Sequence, residues 1–280
     1  MTINAPPGFS TRKTLLDRRS RPIALTGTGQ CVLERCRRLL GDVREVEAAA
    51  SVGAEPSGEL RVGVSHALTE LALTEPVDAL RGKFPRMALR LQTGWSLNLL
   101  ERVRTGALDA TVILLPEGEP LPGGLAGEAA GKEQLVIVAP RGGKRPRVRA
   151  VSDLNGVLWI LTPEGCSARR RLRTLLLRAG IELRVSIETY HYELQLSLVA
   201  RNCGLSLVPE RILHLSKFRS RLRVLRVPGL DFPMTIWTAH RQPLAGFEPV
   251  IGELNRVLHA EASKKVLGPS SNEQHVVLSR

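Results

Sequence analysis

The sequence predicts an α/β fold of two lobes, preceded by a long amphipathic helix. Apolar residues make up 43% of the 280 residues, which is ample for a packed core. Patterns of buried strands and of helices alternate between residues 59 and 139, and the alternation starts again at residue 156. Strands separated by helical segments of about 10 to 15 residues are typical of βαβ units and of a mainly parallel sheet. Because the alternation occurs twice, we expect two α/β lobes.

The first predicted element is a helix from Gln30 to Ser51, a stretch without proline. Its apolar residues repeat at spacings of four, three, four, three and four, the a/d pattern of a helix that pairs with a partner. The alternative is that this helix packs on the following domain of its own chain, and Gly41 in its middle costs ~1 kcal/mol relative to alanine. Gly53, Pro56 and Gly58 then form a hinge. The predicted dimerisation surface consists of Val32, Cys36, Leu39, Val43, Val46 and Ala50.

The remaining elements follow in two blocks. In the first block we predict strands at 59–64, 87–92, 109–115 and 134–139, with helices at 68–83 and 97–105. In the second block we predict strands at 156–161, 182–188, 205–208 and 234–239, with helices at 168–179, 192–202 and 247–260. Trp159 and Trp237 lie within strands and are expected in the core. Residues 261–280 have little periodicity and are expected to be a disordered tail.

The net charge of +13 favours polyanions or anionic small molecules as partners. The basic excess lies in residues 1–40 and 141–184, although a charge run is often a solvated face. No apolar run reaches about 18 residues, and prolines occupy the place of a secretory apolar segment, so we expect a cytoplasmic chain without membrane contact. The four cysteines form no C-x-x-C pair and no metal-ligand spacing. We therefore expect no metal, cofactor or disulfide framework.

Several hydroxyl and aromatic side chains follow the predicted strands. In open α/β sheets, ligands lie outside the carboxyl ends of strands, where helix N-termini offer free N–H groups. Alternatively, Ser96 and Ser167 are helix N-caps, His66 is a locally satisfied polar group, and the aromatic rings only pack. The three arginines at 169–171 are expected to face water. The candidate ligand-binding residues are Ser65, His66, Thr93, Trp95, Ser96, Thr162, Ser167 and Tyr190.

An enzyme is not expected. The sequence contains no G-x-S-x-G, H-E-x-x-H, Walker or Rossmann glycine motif, and its carboxylates form no recognisable pair. A small-molecule enzyme remains an alternative because two-lobed α/β architectures also host catalysts. A buried carboxylate or lysine with a strongly shifted pKa inside a cleft would favour that alternative.

Five segments together resemble LysR-type transcriptional regulators. Residues 18–29 (RRSRPIALTGTG) resemble the R-x-x-R-x-x-x-LT-x-x-G element that closes the family's winged helix-turn-helix. Residues 58–63 (GELRVG) resemble the G-x-L-R-I-G entry to the effector-binding domain, and Phe84-Pro85 resembles its F-x-x-x-x-P element. Residues 99–110 (LLERVRTGALDA) are similar to L-x-x-G-x-L-D-x-A-I, and residues 199–209 (VARNCGLSLVP) to V-A-x-G-x-G-I-x-L-x-P. Each segment alone is weak, but their shared order is specific.

The resemblance implies a periplasmic-binding-protein-like (type 2) effector domain, preceded by a linker helix and a remnant of a winged helix. Residues 1–29 would be that remnant, containing only the wing, and residues 30–57 the dimerisation helix and hinge. Residues 58–140 plus 238–260 would form the first lobe, and residues 141–237 the second. The implied function is DNA-binding transcription regulation, controlled by a small-molecule effector held between the lobes of a homodimer or tetramer.

DNA recognition departs from the family pattern. The family places roughly 25 to 30 more residues ahead of its LT-x-x-G element, enough for a scaffold helix and a recognition helix. Residues 1–14 here contain two prolines and no helical periodicity. We therefore expect impaired base readout, with Arg18, Arg19 and Arg21 contacting DNA phosphates. The alternative is an effector-binding and dimerisation module without sequence-specific DNA binding. The charge and the hydroxyl-rich strand ends favour an anionic effector, but its identity and the genes controlled are not predicted.

Overall fold

The computed structural model describes residues 13–50, 55–142, 148–244 and 246–264. A short β-hairpin is the first element of the fold. Strands β1 (Leu16–Asp17) and β2 (Ala24–Leu25) pair antiparallel. The loop between them is closed by Ser20, whose Oγ donates to the Asp17 carbonyl at 2.9 Å and accepts from the Ala24 amide at 2.9 Å. The exposed side chains at its tip are Arg18, Arg19 and Arg21. Residues 261–263, predicted as the start of a disordered tail, instead belong to the last helix, whereas residues 265–280 and Gly53 of the predicted hinge lie outside the described residues.

Helix α1 (Gly27–Ala50) follows the hairpin. The amide of Gly29 donates to Thr26 Oγ1 at 3.0 Å, which satisfies one of the free N–H groups of the first turn. Gly41 is buried, and a Cβ there would lie 3.1 Å from the guanidinium of Arg241. The helix thus contacts the first lobe at Gly41, the residue that is unfavourable in an isolated helix. Its apolar stripe stays uncovered, with Leu39 63% exposed and Val46 70% exposed.

The first lobe is built on three parallel strands. Strand β3 (Gly58–Ser65) lies between β4 (Met87–Gly94) and β5 (Ala110–Pro116), parallel to both. The predicted helix over 68–83 is in fact a 3-10 turn (His66–Leu68) followed by α2 (Thr69–Leu73) and α3 (Glu75–Lys83). The break occurs because Pro76 has no N–H to continue the helical hydrogen bonds. Helix α4 (Ser96–Arg104) connects β4 to β5.

Strand β6 (Ala126–Pro140) runs on into the second lobe. There, β7 (Leu158–Leu161) and β8 (Arg184–Glu188) form a parallel pair. Strands β9 (Ser206–Pro209) and β10 (Leu222–Leu225) pair antiparallel with β6. The helices of this lobe are α5 (Ser167–Arg178), α6 (Tyr192–Ala200) and α7 (Glu210–Leu215). The sequence did not predict α7 or β10.

Two crossing strands join the lobes. Strand β11 (Phe232–His240) pairs antiparallel with β5 along residues 234–240 and with β6 along residues 126–135, and α8 (Glu248–Ser263) then packs on the first lobe. The main sheet is therefore mixed, which corrects the expectation of a mainly parallel sheet. The pairing of β11 with β6 extends from Phe232 and Leu135 to His240 and Ala126. The lobe boundaries after residues 140 and 237 stay a prediction.

Two of the motif segments meet inside the first lobe. The guanidinium of Arg61 donates to both carboxylate oxygens of Asp109, at 3.0 and 2.7 Å, and the Arg61 amide donates to the same carboxylate at 2.8 Å. The backbone beside this ion pair is closely packed, since a Cβ at Gly63 would lie 2.6 Å from the side chain of Leu108. The GELRVG and GALDA segments thus form one structural unit, with the ion pair joining β3 to the start of β5.

Glu253 ties α8 to α3 and makes stability depend on pH. Its side chain is only 6% exposed, and Lys83 Nζ lies 2.7 Å from Oε2. Hydrogen bonds from Arg256 and Lys83 lower the pKa of Glu253 from 4.5 to about 2. A depressed folded-state pKa stabilises the fold above the unfolded value, and this contribution is lost as pH falls from about 4.5 towards 2.

We expect Glu253→Gln to lower the free energy of unfolding at pH 7 by about 1 kcal/mol, because both cationic partners are largely exposed. Urea unfolding at pH 7 and at pH 3 measures the effect. The difference between wild type and variant should shrink at pH 3. Glu182→Gln, at an exposed position, is the control and should leave both curves unchanged. A difference that grows with acid would contradict the assignment.

Candidate functional site

Three of the predicted ligand-binding residues come together where the lobes meet. His66 follows β3, Trp95 follows β4 and Tyr190 follows β8. The ring centroids of His66 and Trp95 are 4.9 Å apart and meet edge to face, while those of Trp95 and Tyr190 are 5.7 Å apart and nearly parallel. His66 and Tyr190 are separated by 5.5 Å. Sequence positions up to 124 residues apart thus form one aromatic cluster, which joins the first lobe to the second.

Trp95 also touches the opposite lobe through Gly165. Gly165 has a φ of +97°, a conformation that favours glycine. A Cβ at this position would lie 2.8 Å from Trp95 Cδ1. The indole therefore rests directly on the backbone of the loop between β7 and α5.

A cavity of about 530 Å³ adjoins the aromatic cluster. This volume lies within the range of roughly 300 to 1,000 Å³ that is usual for small-molecule sites. Its lining comes from both lobes: α2 and the strand ends on one side, and α6, α7 and the residues preceding α6 on the other. The lining residues are His66, Thr69, Glu70, Thr93, Tyr190, His191, Tyr192, Glu193, Ile212, Leu215 and Ser216.

His66 is the titratable ring in the aromatic cluster. Burial lowers the pKa of His66 below its usual 6.5, and the nearby His191 lowers it further. The imidazole is therefore mainly uncharged at neutral pH, so that it offers one hydrogen-bond donor and one acceptor. Such a ring can orient a polar ligand group without adding positive charge to the cavity.

The four predicted hydroxyls at 65, 96, 162 and 167 are buried and do not line this cavity. Ser96 is the first residue of α4 rather than its N-cap, and its Oγ accepts from the Leu114 amide of β5 at 3.3 Å. Ser167 is likewise the first residue of α5, with Cys166 in the capping position. The N-cap interpretation of both serines is therefore wrong. Their direct role in ligand binding stays a prediction, together with that of Ser65 and Thr162.

Arg169 does not face water as expected. Its side chain is 6% exposed and donates to the Thr162 carbonyl at 2.9 Å and to Glu188 at 2.7 Å. Glu164 lies 2.9 Å from its other terminal nitrogen. Arg170 is exposed, as expected. The buried guanidinium therefore links the loop after β7 to the end of β8, two residues before Tyr190.

Acidic side chains contribute to the described lining of the cavity, while lysine and arginine do not. Of the described residues that line it, none is lysine or arginine, whereas Glu70 and Glu193 contribute carboxylates. Neither glutamate was predicted from the sequence, because nothing in their spacing distinguishes them from a solvated helix face. Ile212, Leu215 and Ser216 were not predicted either, since α7 itself was not predicted.

Other features bear on the remaining expectations. Trp159 is 1% exposed and lies in the core as predicted, whereas Trp237 is only partly buried. Burial raises the pKa of Glu133, which lies on β6 beside Arg211 and does not line the cavity.

Among the described residues, no group of histidine, cysteine or acidic side chains could hold a metal ion. Within the same ranges, no helix combines the length and the apolar character needed to cross a membrane.

Two α/β lobes with a cavity between them at the strand ends define a small-molecule-binding domain of the periplasmic-binding-protein-like class. The family model described as the LysR substrate binding domain matches residues 53–245. The chain therefore belongs to the LysR family of transcriptional regulators and carries its effector-binding domain.

Individual relatives agree with this assignment. The chain is 26% identical to the HTH-type transcriptional regulator GltR of Bacillus subtilis over 209 residues, which cover 75% of this chain and 69% of GltR. It is also 26% identical to the regulator EstR of Acinetobacter baylyi over 259 residues, covering 87% and 82% of the two chains. A full-length OxyR structure from Pseudomonas aeruginosa superposes with a TM-score of 0.66 at 20% identity, covering 87% of this chain and 79% of that one. This likeness shows the shared fold.

Proposed function

We propose that this chain binds a small-molecule effector in the cavity between its lobes and thereby regulates transcription, without catalysing a reaction. The observation that carries the proposal is the cluster of His66, Trp95 and Tyr190 beside the cavity. These rings come from the ends of three strands and from both lobes. A ligand placed against them contacts both halves of the domain at once.

A ligand that touches both lobes can change the equilibrium between their arrangements. It favours the arrangement in which its contacts with both lobes are complete, by an amount equal to its difference in affinity. The crossing strands β6 and β11 are the continuous connections through which the lobes would shift. Helix α1, which touches the first lobe at Gly41 and Arg241, would carry the shift towards a partner chain.

The cavity assignment is tested by a thermal-shift screen of metabolites against wild type and Thr93→Trp. Thr93 is exposed and lines the cavity, so an indole there should occupy the space of the effector. A ligand present at 100 times its Kd should stabilise wild type by about 2.7 kcal/mol. Thr93→Trp should lose this stabilisation, while Thr174→Trp, at an exposed threonine of α5 outside the cavity lining, should retain it. A compound that stabilises all three proteins equally binds elsewhere and would contradict the assignment.

We further propose that the chain forms a homodimer through α1. The uncovered stripe of Val32, Cys36, Leu39, Val43 and Val46 supports this, because an apolar helix face of this length is usually buried against a partner. The side chain of Ala50, the last member of the predicted surface, lies outside the described side chains. A tetramer of such dimers is the alternative assembly.

For DNA, we propose contacts to phosphates rather than base readout by this chain. The exposed tip of the hairpin supports this, since Arg18, Arg19 and Arg21 all lie on it. Replacing the three arginines with alanine should weaken binding to a promoter fragment and to a scrambled fragment alike. It should also reduce the slope of log K against log salt concentration by about 3. Strong preference of the 280-residue chain for the promoter in ~0.15 M salt would contradict the proposal.

A further inference from the structure

We propose that the effector carries a positive charge, as an organic ammonium group seated against the aromatic rings and carboxylates of the cavity. The inference rests on the proposed function, because it assigns a ligand class to the same site. It also departs from the anionic effector that the overall charge of the chain favours.

The charge of the cavity lining differs from that of the whole chain. The chain carries 40 lysines and arginines against 27 acidic residues, yet the described lining of the cavity contains two carboxylates, two histidines and no lysine or arginine. Neither Glu70 nor Glu193 takes part in an ion pair among the described residues. An anion entering this cavity would meet two like charges, whereas an ammonium group would supply the missing counter-charge.

The buried cation Arg169 is already held by other groups. The guanidinium of Arg169 contacts Glu188, Glu164 and the Thr162 carbonyl. Turning it towards the cavity would leave the buried Thr162 carbonyl without its donor, which is unfavourable. His66 adds no positive charge either, because burial lowers its pKa.

An aromatic ring held by stacking also lines the cavity. The half-exposed ring of Tyr190 lines the cavity, and it is stacked at 5.7 Å on Trp95, which fixes its orientation. The face of an aromatic ring attracts a cation within about 6 Å of its centroid. An aromatic ring held by stacking, in a cavity that two carboxylates also line, is a suitable receptor for an ammonium group.

The test uses three probes of similar shape and different charge: benzylamine, benzyl alcohol and benzoate. At pH 7 the first is a cation, the second is neutral and the third is an anion. Binding is measured by thermal shift and by quenching of tryptophan fluorescence in the full chain. We expect saturable binding of benzylamine, weaker binding of benzyl alcohol, and no binding of benzoate over the same concentration range.

Variants assign the binding to the site. Glu70→Gln combined with Glu193→Gln should weaken benzylamine by about tenfold and leave benzyl alcohol unchanged, as expected for the loss of two charge contacts. Tyr190→Ala should weaken both probes by about threefold or more. Glu182→Gln, an exposed carboxylate outside the cavity lining, is the matched control and should change neither.

The possible failures are distinguishable. If benzoate binds more tightly than benzylamine and Tyr190→Ala abolishes that binding, the cavity is still the effector site but the cationic class is wrong. If benzylamine binds equally well to wild type and to both cavity variants, or if no probe binds, the ligand class is also overturned. The proposed function itself fails only if the metabolites that stabilise wild type stabilise Thr93→Trp equally well.

Discussion

Replacing Arg61 with methionine is expected to lower the free energy of unfolding by about 3 kcal/mol, because it leaves the buried carboxylate of Asp109 without its guanidinium partner. The side chains are 21% and 10% exposed, and the guanidinium and carboxylate meet through two nearly parallel hydrogen bonds. The pair joins β3 to the start of β5, so the loss falls on the centre of the first lobe. Chemical denaturation at pH 7 measures it.

Two further variants make this test specific. Arg90→Met removes an arginine from the neighbouring strand, but its pair with Glu59 is exposed and should contribute less than about 1 kcal/mol. Combining Arg61→Met with Asp109→Leu removes both buried charges and should recover a large part of the lost stability. If Arg61→Met cost no more than Arg90→Met, the pair would not be the structural link proposed here.

Placing aspartate at Val43 should convert the proposed dimer into a monomer. Val43 is 52% exposed in the single chain and lies in the middle of the uncovered stripe of α1. In a paired helix its side chain would be buried, and a carboxylate there would have no counter-charge. We expect the dimer Kd to rise by roughly a hundredfold, which corresponds to about 2.7 kcal/mol.

Sedimentation equilibrium at micromolar concentration measures the change, and circular dichroism checks that the fold persists. Gln30→Asp adds the same charge at an exposed position of α1 outside the stripe and should remain dimeric. A wild-type chain that is monomeric at these concentrations would remove the basis of the dimer proposal. Equal dissociation of the two variants would show that charge alone, rather than the stripe, is responsible.

The sequence patterns predict the framework of each lobe more reliably than its edges. Strand β5 is buried along its whole length, so its continuous apolar run is distinctive. Helix α7 and strand β10 are short and only partly buried, and neither shows a period that separates it from a loop. The direction of β11 cannot be predicted from local patterns either, because an apolar strand has the same sequence pattern whether its neighbour is parallel or antiparallel.

Individual residues of the site were predicted from the sequence, but their spatial arrangement was not. His66, Trp95 and Tyr190 were candidates because each follows a strand, and the fold brings them within 6 Å of one another. The same rule selected Ser96 and Thr162, whose hydroxyls are instead buried between strands and helices. Position after a strand determines nearness to the cleft, whereas the direction of a side chain depends on packing that the local sequence does not contain.

The central claim is that a small molecule binds at the aromatic cluster between the lobes. The chain has three tryptophans, and their indole N–H signals can be followed separately by nitrogen-15 NMR. Titration with a compound that stabilises the protein should shift the signal of Trp95 and leave that of Trp159, buried in the core, in place. Trp237, which lies on β11 outside both the aromatic cluster and the cavity lining, should also be unaffected. An unchanged Trp95 signal, with saturable shifts at Trp159 or Trp237, would contradict the claim.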